Sequence, residues 1–119
     1  MNCVRVFSDL NGESHFDDVA ITLTEANFAP PAPPLLVSAA IEAKNLIFCT
    51  VPAGWDGDWH PTPARQYFLL GQLEVEVSDG EIRQASPGAI VLLEDISGKG
   101  HVTRVLGNTK AEGVFVQVP

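Results

Sequence analysis

Two short segments each carry a histidine beside residues that stiffen or sharply turn the backbone: Trp59-His60-Pro61-Thr62-Pro63-Ala64-Arg65-Gln66 and Glu94-Asp95-Ile96-Ser97-Gly98-Lys99-Gly100-His101. Imidazole is the one side chain that exchanges a proton, or ligates a metal, at its ordinary pKa near neutrality. Pro61 and Pro63 fix φ and hold their predecessors extended, so His60 approaches the strand that starts near Gln66 on a stiff stretch of chain. Within that strand Gln66 shares a face with apolar Phe68 and Leu70. Its amide is therefore expected to point inward, where it needs an imidazole, a water or a metal as partner. His101 shares its face with Thr103 and Val105, a polar-to-apolar gradient suited to the mouth of a cavity. The expectation is one pocket contacted by His60, Gln66 and His101, although an inward histidine in a β protein can equally be a hydrogen-bonded core residue.

Glu94 and Asp95 come directly after an apolar run. At least one carboxylate is expected near the pocket, where burial would favour proton transfer; the alternative is capping of the Ser97-Gly98 turn. Trp55 or Trp59 would supply an aromatic wall, or pack at a strand entry. His15 lies in Glu13-Ser14-His15-Phe16-Asp17-Asp18, whose acids favour its protonated form, and it is read as a loop or rim residue. The Gly98-Lys99-Gly100 stretch lacks the spacing of a phosphate-binding loop.

The elements that must position these groups are strands. Leu73-Glu74-Val75-Glu76-Val77 alternates with period two, as a half-solvated antiparallel strand does. Ser78-Asp79-Gly80-Glu81 supplies a hairpin turn, and Glu81-Ile82-Arg83-Gln84 the returning strand. Pro87-Gly88 breaks the chain before Ala89-Ile90-Val91-Leu92-Leu93, an apolar run of the length of a buried strand. Further strands are predicted at Val4-Arg5-Val6-Phe7, Val19-Ala20-Ile21-Thr22-Leu23, Leu46-Ile47-Phe48-Cys49-Thr50-Val51, residues 102–106 and residues 113–118, the last with Phe115 and Gln117 on one face. Ala29-Pro30-Pro31-Ala32-Pro33-Pro34 reads as an extended polyproline crossing on the surface. Residues 38–45 hold the one plausible helical turn. Many strands and almost no helix predict an all-β sandwich or barrel of the jelly-roll kind.

Composition narrows the function classes. The 119 residues suit a single domain, and seven basic against fifteen acidic residues leave a formal charge of −8, which repels nucleic acid and anionic membranes. No stretch approaches the length of an apolar membrane span, and the opening Met1-Asn2-Cys3-Val4-Arg5-Val6 turns acidic by Asp9, so a soluble, cytoplasmic protein is expected. Cys3 and Cys49 form no paired motif, and free thiols are expected.

Gly54-Trp55-Asp56-Gly57-Asp58-Trp59-His60-Pro61-Thr62-Pro63, then Gly71-Gln72-Leu73-Glu74-Val75-Glu76-Val77, Asp79-Gly80, Pro87-Gly88 and Gly100-His101 together resemble the two-motif pattern of small single-domain bacterial cupins. The resemblance covers residues 54–107. Residues 1–53 would then form N-terminal strands and the proline-rich crossing, and residues 108–119 the final strand. It implies a double-stranded β-helix, a jelly-roll barrel, whose motifs commonly ligate a transition metal through histidines and a glutamate. One register puts His60 and Thr62 at the histidine pair and Gln66 at the glutamate, and is preferred because it keeps a polar third position; the other uses Asp58, His60 and Ala64. His101 matches the second-motif histidine.

Three functions follow as expectations. The first is a barrel binding a small polar molecule through His60, Gln66 and His101, with Trp59, Glu94 and Asp95 as further contacts. The second is a metalloenzyme, an isomerase or a dioxygenase, with one divalent ion on His60, His101 and Glu94 or Asp95, Gln66 being a further candidate ligand. The third is a dimerising β module, the resemblance implying a homodimer paired through its sheets.

Overall fold

The computed structural model describes residues 1–119 and contains eleven strands and no helix. They are β1 (Asn2–Ser8), β2 (Ser14–Ala20), β3 (Thr24–Ala26), β4 (Leu35–Val37), β5 (Asn45–Val51), β6 (Gln66–Leu69), β7 (Leu73–Val77), β8 (Ile82–Ala85), β9 (Val91–Leu93), β10 (His101–Arg104) and β11 (Ala111–Gln117). Six form one sheet in the order β2-β1-β9-β6-β11-β5, three form a second in the order β10-β7-β8, and β3 pairs with β4 as a separate hairpin. Every pairing is antiparallel except β1 with β9.

The period-two pattern of β7 works as its alternation demands. Leu73, Val75 and Val77 are buried and pack with Val6, Phe68, Val91 and Leu93 of the larger sheet in one apolar cluster. Removing each such side chain from water contributes on the order of 2 kcal/mol. Glu74 and Glu76, on the opposite face, meet Arg104 of β10 at 3.2 and 2.8 Å. The run through β9, between β1 and β6, is buried along its whole length.

Four expectations are corrected. The sheets face each other without closing into a barrel; the strand orders end at β2 and β5 in one sheet and at β8 and β10 in the other, with the outer edge of β10 met only by the loop residues 55–60. Residues 38–44 form no helical turn but an exposed, irregular run, since so short a segment cannot repay helix nucleation without an apolar face to bury. The proline stretch is not extended: Ala32 N–H donates to Ala29 C=O at 2.9 Å, closing a turn between β3 and β4. Finally, β2 starts at Ser14 and ends at Ala20, so His15 stands on a strand and Ile21 to Leu23 lie beyond it. Cys3 and Cys49 are free thiols. No helix is long and apolar enough to cross a membrane.

Candidate functional site

Between the two sheets lies a cavity of about 550 Å³. Its floor comes from the inward faces of β5, β6 and β11, among them Cys49, Gln66, Phe68, Phe115 and Gln117. His101 and Thr103 of β10 form the opposite wall, His60, Thr62 and Pro63 enter from the loop before β6, and Trp55 stands at the rim. No lining side chain carries a fixed charge.

The two histidines are brought together by backbone. His60 N–H donates to His101 C=O at 3.1 Å and His101 N–H to His60 C=O at 3.0 Å, an isolated antiparallel bridge that, with a second between Asp56 and Arg104, lays residues 55–60 along the outer edge of β10. Residues directly opposite in such a pair put their side chains on the same face. The rings accordingly lie with centroids 4.9 Å apart and planes tilted by 51°. Gly100 makes the bridge possible: its φ is +72°, and a Cβ there would stand 2.1 Å from the His60 carbonyl carbon and oxygen.

Each ring has one nitrogen fixed by the protein and one left open. His60 Nδ1 is 2.6 Å from the Asp58 carbonyl oxygen, which only accepts, so Nδ1 carries the proton. His101 Nδ1 donates to Asp95 Oδ2 at 2.6 Å, with side-chain exposures of 3% and 0%. Asp95 thereby sets both the tautomer and the ring orientation of His101. Asp95 Oδ1 is the sole buried side-chain nitrogen or oxygen without a partner. Neither Nε2 has a protein partner, and neither is sealed off, so both reach the cavity.

Gln66 points inward beside them. Its Nε2 donates to Thr62 Oγ1 at 3.1 Å and its Oε1 accepts from Gln117 Nε2 at 3.3 Å. Thr62 donates its hydroxyl to the Ala64 carbonyl at 2.8 Å, while its N–H donates to the Asp95 carbonyl at 3.0 Å. Thus Asp95 holds the site twice, by its backbone on the His60 loop and by its carboxylate on His101.

Of the residues singled out from sequence, the structure gathers His60, Gln66 and His101 around the cavity and places Asp95 directly behind His101. Glu94 and Trp59 are elsewhere. Glu94 faces the opposite way and accepts from both Arg5 and Arg65. Burial raises its pKa, but the hydrogen bonds from Arg65 and Arg5 outweigh this and hold it below the ordinary value. Trp59 is 47% exposed and stands by Ser78 and Lys99; Trp55 is the aromatic residue of the rim. Thr62, Thr103 and Gln117 complete the polar lining. Gln117 was legible through its shared face with Phe115, and Thr62 through its place between His60 and Gln66.

These donors do not fit the metal that the cupin resemblance implies. No three His, Cys, Asp or Glu side chains converge in a way that could hold an ion. The Asp95 oxygen nearest the histidines is taken by the His101 N–H, Glu94 is held by two arginines, and both ends of the Gln66 amide are bonded within the protein. Two imidazoles alone fall short of the three or four donors that zinc or iron sites use.

No protein-family model matches this chain, and no curated protein matches it.

Proposed function

We propose that this protein binds a small polar molecule in the cavity between its sheets, His60, Gln66 and His101 meeting it and Trp55 closing one side. The observation that carries this reading is the pair of adjacent imidazoles, each with Nδ1 anchored by the protein and Nε2 open to a cavity of ligand size. Such a pair offers two hydrogen-bond acceptors side by side, or a donor and an acceptor once one ring is protonated. A ligand with neighbouring hydroxyl, amide or carboxyl groups matches that spacing. Where the bound molecule has an acidic or leaving proton, His101 is the group placed to take it, with Asp95 to hold the charge that develops on the ring.

We read the fold as a flattened, open jelly roll of the cupin kind; the two facing sheets and the position of the motif residues around one cavity support that reading. The metal-dependent alternative is disfavoured by the donor set. Protein purified without chelator is expected to carry far less than one equivalent of divalent metal by elemental analysis and to take up none on reconstitution.

The binding proposal is tested by long-range proton–nitrogen NMR of the three histidines during a screen of small hydroxy acids, amides and sugars. A true ligand shifts both Nε2 resonances of His60 and His101 and the Trp55 indole, and leaves His15 and Trp59 in place. Ligands that move only His15 or Trp59, or a screen in which neither cavity histidine responds, would reject the proposal.

A further inference from the structure

Polar and apolar groups of the histidine cavity lie on different walls. His60 and His101 stand together, and Thr103, two residues along β10, presents its side chain to the same space. The floor is largely hydrocarbon: Phe68 and Phe115 lie with ring centroids 5.6 Å apart, and Leu70, Leu93, Ile47 and Val51 surround them. The amides among them are engaged with one another. Asn45 Nδ2 donates to Gln117 Oε1 at 3.0 Å, and the chain of bonds continues through Gln66 to Thr62 and the Ala64 carbonyl. At the rim the six-membered ring of Trp55 rests on Gly57, where a Cβ would stand 2.4 Å from Cη2, and it adds a third aromatic surface to the cavity.

We infer that the ligand of this cavity is an uncharged compound with hydroxyls on a single edge of an otherwise apolar, aromatic body; the inference rests on the cavity being the binding site. With Nδ1 protonated, a neutral imidazole has only a lone pair at Nε2. His60 and His101 together therefore ask for donors, and two adjacent hydroxyls supply them. When Asp95 holds a charge on His101, that ring donates while His60 still accepts, and a hydroxyl satisfies both because it donates and accepts. A carboxylate only accepts. It would need both rings charged at a centroid separation of 4.9 Å, with one carboxylate, Asp95, behind one of them and a chain charge of −8 opposing its approach. A sugar fails for a different reason: its hydroxyls project on all sides, and each one turned to Phe68, Phe115, Leu70 or Leu93 would be buried without a partner, weakening binding about tenfold. An aromatic body instead packs against the rings of the floor and the rim.

The test is titration of the full chain at neutral pH, with chelator present, by four compounds: the naphthalenediol with adjacent hydroxyls at one end, its dimethyl ether, naphthoate and glucose. Affinity is read by calorimetry and the place of binding by the Nε2 resonances of His60 and His101. The diol should bind and move both resonances. The ether keeps the rings and loses both donors; it, naphthoate and glucose should each bind at least about tenfold more weakly. His60→Phe keeps a ring and removes one acceptor, so it should weaken the diol about tenfold and leave the ether unchanged, with the amide spectrum verifying that the variant is folded. Naphthoate, glucose or the ether binding at these histidines as tightly as the diol would overturn the inference and leave the cavity's role as a binding site intact. A diol that binds without moving either resonance, or that fails where the wider screen finds a ligand at these histidines, would overturn it as well. When no compound of either set moves them, the binding proposal itself fails and this inference with it.

Discussion

At the scale of single residues, two adjacent carboxylates do opposite work. Asp95 is sealed inside with one partner, and Glu94 is shared between two arginines near the surface. Removing one partner of a buried pair leaves the other without an acceptor, whereas a solvent-screened pair contributes little. Asp95→Ala should therefore cost about 3 kcal/mol and Glu94→Ala about 1 kcal/mol, compared by urea denaturation. Sequence spacing could not tell them apart, because both follow β9 directly and the chain turns there; only the three-dimensional position of Arg5 and Arg65 assigns Glu94 to the outside. His15 is a second such case. Its ring bridges Asp9 at 2.7 Å and Asp79 at 2.8 Å, and these bonds, Asp9's first, raise its pKa above 6.5. The acids next to it in sequence suggested protonation, but those that bring it about come from two other turns. A raised histidine pKa gives stability that is complete below 6.5 and disappears as pH climbs through the folded value. Asp9, through His15, and Asp79, through the Glu81 N–H and then His15, are both lowered from 3.8, so their share is present above that value and fades as pH falls through the folded one. The difference in stability between wild type and His15→Gln should be largest between these limits and shrink on both sides, as pH-dependent denaturation will show.

At the scale of elements, legibility followed the strength of the local pattern. β7, its hairpin turn and the buried β9 were readable because alternation and turn chemistry are properties of a few consecutive residues. The proline turn was not, since prolines in series fit an extended run and a tight reversal alike, and the choice rests on β3 finding β4. The meeting of His60 with His101 was readable only as a possibility, because it depends on one glycine. A Cβ at position 100 would collide with the His60 carbonyl, so Gly100→Ala should lose about 2 kcal/mol and break the bridge. The imidazole signals of His60 and His101 would then move together while the β7 amides stay unchanged. If only stability changes and the two rings keep their signals, Gly100 matters for the turn alone.

At the scale of the whole molecule, the sequence announced an all-β chain but not whether its sheets would close. Closure depends on what the outermost strands meet, and no local pattern records that. The hairpin of β3 and β4 is the element with the least support from the rest of the chain, and local stability follows such support. Amide hydrogen exchange should be fast throughout β3 and β4 and slowest in β6 and β9.

The place of β11 between β6 and β5 sets the order in which this chain can mature. While a ribosome is still releasing residues 111–117, β5 and β6 have no common neighbour, and the sheet exists as two pieces with open ladders. Most of the native pairings are distant in sequence, which slows folding and lengthens the life of such half-assembled species. The nascent chain thus stays vulnerable to aggregation until β11 has emerged, and then the whole large sheet zips together around that one strand.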